Sequence, residues 1–163
     1  MILASGGALL LTACGSETSG EFTTEDGKDA EYTIDKETGE TSMTITDEDG
    51  KATLRAGSSV PVSLPDGFTL FPGSKVVNNA VVNQPDEQGT MITFEADAPA
   101  DAVVAHYRDA AKAAGFDIQL EMTTNGTQMV GGERESDGST FSVTASGGEP
   151  TSGQIIIATK TGG

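Results

Sequence analysis

Tryptophan is absent from this 163-residue chain, aromatic residues make up 5% of it, and it holds one cysteine and one histidine. A lone cysteine excludes an intrachain disulfide. With so few aromatics, a core must come mainly from Val, Ile, Leu, Met, Ala and six Phe. Basic residues are also scarce: nine Lys and Arg stand against 25 Asp and Glu, giving a formal charge of −16. The acids are spread along the chain, 13 against 4 bases in residues 15–66 and 12 against 5 in 67–163. Such a field repels nucleic acid, and no basic patch counters it, so no nucleic-acid partner is expected. It repels anionic headgroups too. No apolar run reaches the roughly 20 residues needed to cross a bilayer. The G-x-S-x-G, P-loop and H-E-x-x-H patterns are all missing, so no familiar catalytic or phosphate-binding motif points to an enzyme.

The N-terminus is what the sequence does have. The apolar run Ile2 to Leu11, broken by Ser5, Gly6 and Gly7, ends in Leu11-Thr12-Ala13-Cys14 and gives way to Gly15-Ser16-Glu17. Its length suits a secretory h-region of roughly 7–15 residues. Three readings compete: an ordinary signal peptide cut after Thr12-Ala13, a lipoprotein signal that uses the Cys14 thiol, and a buried strand with a core cysteine. Leu11 to Cys14 resembles a bacterial lipobox, and the chain is read as similar to bacterial lipoproteins. The resemblance implies a diacylglyceryl thioether on Cys14, often with a third acyl chain on its amine. Two or more chains are what stable anchoring takes. No Lys or Arg precedes the run, so the true start is read as lying upstream. The expected order is a signal peptide over 1–13, a tether over 14–24, an acidic β-meander over 25–59, a linker over 60–73 and an α+β domain over 74–163. No Asp follows Cys14. In a Gram-negative organism the resemblance then implies the outer membrane, facing the periplasm.

Residues 21–57 read as short polar strands between the turns Asp26-Gly27, Thr38-Gly39 and Asp49-Gly50, because glycine accepts the positive φ of tight hairpins. The prolines of Val60-Pro61-Val62-Ser63-Leu64-Pro65 bar a helix or a central strand. Strands are expected over 75–82 and 90–95. A helix is expected over 97–114, with Asp97 as N-cap, Pro99 in the first turn and Gly115 as the stop. Val103, Tyr107, Ala110 and Ala114 recur at helical spacing. The alternating Phe116, Ile118, Leu120 and Met122 open four further strands. The fold class expected is therefore α+β: an N-terminal polar β-meander followed by an antiparallel sheet with one packed helix, ββ-α-ββββ. Leu64 to Gly73 (LPDGFTLFPG) and Ala105 to Phe116 (AHYRDAAKAAGF) resemble segments of uncharacterised exported bacterial lipoproteins, which carry no activity to transfer.

Few residues suggest chemistry. His106, with Asp109 three residues on, has the makings of a base and its orienter, although its place beside the apolar stripe suits a boundary histidine better. Asp47-Glu48-Asp49 invites a Ca²⁺ reading, with Asp47 and Asp49 as weak ligand candidates. An EF-hand loop needs more alternating oxygens and a later glycine, so turn acids left in water are the plainer reading. The same holds for Glu133 to Asp137, which contains Arg134. No cofactor and no metal are expected. The function expected is a lipid-anchored, non-enzymatic cell-envelope protein that meets the membrane through lipid on Cys14 and an envelope protein through a small interaction domain. A small-ligand or Ca²⁺ binding module comes second. An envelope hydrolase working with carboxylates comes third.

Overall fold

Thr- and β-branched-rich segments separated by Gly turns give ten strands, all antiparallel to their neighbours, in the computed structural model, which describes residues 16–48 and 50–160. The strands are β1 (Glu17–Thr23), β2 (Asp29–Asp35), β3 (Thr41–Asp47), β4 (Gly50–Gly57), β5 (Lys75–Asn83), β6 (Glu87–Ala96), β7 (Asp117–Thr124), β8 (Thr127–Arg134), β9 (Ser139–Ser146) and β10 (Thr151–Lys160). The helix α1 (Ala100–Ala113) joins β6 to β7. The strand order is β1-β2-β3-β4-β5-β6-β10-β9-β8-β7.

This corrects the expected α+β class. The meander and the following strands form one ten-stranded sheet, and the fold is sheet-dominated with a single helix packed on it. The physical reason is the pairing of β4 with β5, from Thr53↔Asn83 to Gly57↔Asn79, across the proline-bearing segment. Backbone pairing between successive edges needs no particular side chain, so two prolines in the connection do not interrupt it. Residues 17–23, read as tether, pair along their whole length with β2.

Residues 60–73 pack on the helix side of the sheet. Val60 and Phe68 are buried. Buried Asn79 donates from Nδ2 to the Val60 and Pro61 carbonyls at 3.3 and 2.9 Å. The helix begins later than Asp97 suggests. Pro99 occupies the cap position with no side-chain cap, since its fixed φ suits a helix entrance. The Ala102 N–H is shared between Asp101 Oδ1 at 2.9 Å and the Pro99 carbonyl at 3.1 Å. At the other end Gly115, with φ +84°, turns the chain so that its N–H reaches the Lys112 carbonyl at 3.1 Å.

The core lies between α1 and strands β6, β10, β9 and β8. Ile92 and Phe94, Ile155 and Ile157, Phe141, Val143 and Val130 meet Val103, Tyr107 and Ala111 of the helix. Each large buried side chain contributes about 1.5–3 kcal/mol, so this half holds most of the fold's stability. In β1 to β4 the buried residues are Ala30 and Gly57.

Candidate functional site: the open face of the sheet

Cross-strand partners share a face of a sheet, so the register shows which residues lie away from the helix. One row runs Thr18–Ile34–Thr41–Ala56–Ala80–Met91–Ile156–Ser142–Gly131–Leu120, unbroken over all ten strands and without a charge. The next runs Gly20–Tyr32–Met43–Leu54–Val82–Gly89–Ala158–Thr140, uncharged as far as β9, and ends on Glu133 of β8 and Asp117 of β7. Phe22, Ala30, Ile45 and Ala52 extend it over the meander, and the Phe22 and Tyr32 rings lie 6.4 Å apart. Met122 and Met129 pair across β7 and β8. Of the exposed large apolar side chains, Phe22, Ile34, Met91, Leu120, Met122 and Ile156 lie on this face.

The meander's other face is its opposite. The rows Ser19–Thr33–Ser42–Arg55, Glu21–Glu31–Thr44–Thr53 and Thr23–Asp29–Thr46–Lys51 hold hydroxyls and charges and no apolar residue. The meander thus turns its apolar side chains away from α1. In β5 to β10 the apolar core is on the helix side.

The space between helix and sheet is filled. Phe68, Phe116 and Phe141 form a ring cluster with centroids 5.3–5.9 Å apart. Phe94 packs on Tyr107 at 5.9 Å. The Tyr107 hydroxyl accepts the Phe71 N–H at 2.8 Å, and burial pushes its pKa up to about 12 despite that bond.

The sequence-predicted residues are not brought together as a reactive site. His106 Nε2 donates to the Thr69 carbonyl at 3.1 Å, and its ring packs edge-on against Phe71 and Tyr107. The Asp109 carboxylate is 3.7 Å from Arg108 Nε, so the structure places it with that guanidinium. The turns of β1–β2 and β3–β4 do lie side by side, and Asp26, Asp29, Asp47 and Glu48 line an open hollow there. An ammonium occupies its anionic side: Lys28 Nζ is 2.5 Å from Asp47 Oδ2, and Asp47 Oδ1 takes the Gly50 N–H at 3.0 Å. Asp49 and Cys14 lie outside the described residues. Among the described residues no group of three or more His, Cys, Asp or Glu is arranged to hold a metal ion, and no helix is long and apolar enough to cross a membrane.

The second acidic cluster is a structural clamp. Arg134 donates from Nε and Nη2 to the Asp137 carboxylate at 2.7–3.2 Å. Its Nη1 reaches the Ala114 carbonyl at 3.3 Å, and its guanidinium lies 4.8 Å over the Phe116 ring. The Arg134 hydrogen bonds, with the Ser139 N–H after them, hold the Asp137 carboxyl well below the usual carboxylate range. The guanidinium therefore ties the end of α1 to the β8–β9 turn.

A protein family described as START domain-like matches residues 76–155, from β5 through α1 into β10. In that stretch the chain is similar to this family, and the meander lies outside the match. No curated protein and no solved structure matches the chain.

Proposed function

We propose that this chain is a lipid-anchored, non-enzymatic protein of the bacterial cell envelope that presents its sheet to a protein partner. The observation that carries the reading is the open face whose central row crosses all ten strands without a charge, with no element among the described residues packed over it. A filled helix–sheet interior supports a surface role over a chamber for a substrate. The lipid anchor rests on the lipobox resemblance at Leu11 to Cys14. Two residues, Gly15 and Ser16, separate Cys14 from the start of β1, a span of at most about 10 Å, so the anchor would hold the meander edge close to the bilayer. In a Gram-negative organism the site is the outer membrane, facing the periplasm.

Fractionation with mass spectrometry tests the anchor. Wild-type protein is expected in the membrane fraction with lipid on Cys14, and Cys14→Ser in the soluble fraction. A membrane-bound Cys14→Ser, or an unmodified thiol, refutes the anchor. Capture of an envelope protein by wild type but not by Ile156→Lys tests the surface. A small-ligand module is the second reading, and the match to the START domain-like family favours it. A saturable rise in melting temperature with a small apolar ligand would select it.

A further inference from the structure

A sheet buries an apolar face against a second layer. The β1–β4 meander lacks one: its apolar side chains all point away from α1, and no other element among the described residues lies over them. We infer that the second layer is the same face of another copy of this chain, two sheets packed face to face about a two-fold axis. This rests on reading the open face as an interaction surface, and it names the occupant.

Three observations select a second copy. The first is charge. With −16 on the molecule and no charge along the central row, the face offers nothing to a basic ligand, and the rest of the surface repels anionic headgroups. The surface that fits this row is itself uncharged and largely apolar, and each copy carries one of the same length. The second is area. Ten strands at about 4.8 Å spacing, with about five residues of each at 3.3 Å, give a footprint of roughly 750 Å². A stable complex needs about 800 Å² per partner, and protruding side chains raise the accessible area above the footprint. The third is adaptability. Apart from Met1, every methionine of the chain (Met43, Met91, Met122 and Met129) lies on this face. Unbranched thioethers repack to fit an opposing surface. Sheets packed in this way align within about 30°.

The test is sedimentation of the full chain carrying Cys14→Ser, with Met43→Lys, Ile156→Lys and, on the opposite face, Thr33→Lys. The parent protein is expected to dimerise below about 100 μM in 0.15 M NaCl. Each open-face lysine should weaken association by roughly 100-fold, because it buries an unpaired charge, and Thr33→Lys should not. Association should strengthen between 0.01 and 0.15 M salt as the acidic rims are screened, the reverse of an interface held by ion pairs. Monomer throughout, or a dimer indifferent to both open-face lysines, overturns the inference. Should the lysine variants lose their circular dichroism, peroxide footprinting replaces them. Met43 and Met91 should oxidise more slowly at high protein concentration, and equal rates at all concentrations overturn the inference. A monomer whose envelope-protein capture is still lost on Ile156→Lys refutes the second copy and leaves the interaction surface standing. A monomer that captures nothing refutes both.

Discussion

Gly153 on β10 is the position where one methyl group should do most harm. Its partner across the ladder is Phe94 of β6, whose ring lies over it. A Cβ on Gly153 would come within 2.2 Å of Phe94 Cζ and 2.6 Å of both Cε atoms, where about 3.5–4.0 Å is the comfortable separation. The ring would have to retreat by about 1.5 Å. It is fully buried and packed on Tyr107, which is held in turn by the Phe71 N–H. Overpacking costs about 1–3 kcal/mol, and the intrinsic gain from replacing a strand glycine by alanine offsets about 0.5–1 kcal/mol. Gly153→Ala should therefore lose about 1–2 kcal/mol, a fall in melting temperature of roughly 2–8 °C for a chain of this size. Without tryptophan, urea unfolding is best followed by far-ultraviolet circular dichroism, at one low protein concentration so that association does not contribute. A double-mutant cycle with Phe94→Leu makes the reasoning specific. Leucine leaves space for the methyl, so the pair should be coupled by about 1 kcal/mol. A neutral or stabilising Gly153→Ala, or strict additivity with Phe94→Leu, would refute the steric account.

Two further substitutions probe the helix and its supports. Tyr107→Phe leaves the Phe71 N–H without its acceptor and should cost about 1–3 kcal/mol in urea unfolding. Because the Tyr107 pKa is raised to about 12, the wild type should also lose stability as pH climbs above the ordinary tyrosine value near 10. Tyr107→Phe should lack that share of the alkaline loss, and identical alkaline profiles would contradict the assignment. Arg134→Met removes the helix-end hydrogen bond and the ring contact, worth together about 1 kcal/mol at pH 7. Asp137 is held below the usual range in the folded chain, so its contribution is present above about pH 4 and is lost as pH falls below that value. Acid titration of Arg134→Met should be flatter than wild type below pH 4, and a parallel curve would refute the clamp.

The elements were more legible than their assembly. Alternation marks β9 through Phe141, Val143 and Ala145, and helical spacing marks α1 through Val103 and Tyr107, because one face of each is buried. β1 is not legible in the sequence, since Thr18, Gly20 and Phe22 alternate with Ser19 and Glu21 too weakly to stand out in a Ser/Thr/Gly-rich stretch. Its pairing with β2 is carried by the backbone. The prolines between Val60 and Gly73 predict a linker, yet Phe68 joins Phe116 and Phe141 in the core. A proline bars regular pairing at its own position and says nothing about whether a residue three places on is buried. His106 was legible as a boundary residue, and its contact with the Thr69 carbonyl needed the fold.

The candidate surface was hidden for a more general reason. Met43 with Leu54 and Ile156 with Met91 are far apart in sequence, and each reads as an ordinary apolar position in its own strand. A one-sided strand pattern shows that a face is apolar and cannot show which side of the sheet it joins. Side is decided by the register across β4 and β5, where Leu54 meets Val82 and Ala56 meets Ala80. A shift of one residue there would turn the meander's apolar side chains to the helix side. They would then continue the layer occupied by α1 and residues 60–73, and the ten-stranded sheet would have one apolar face rather than two. The observed register instead leaves α1 to cover one half of the sheet and leaves the meander's apolar face open. The requirement for a second layer is therefore a property of that one pairing.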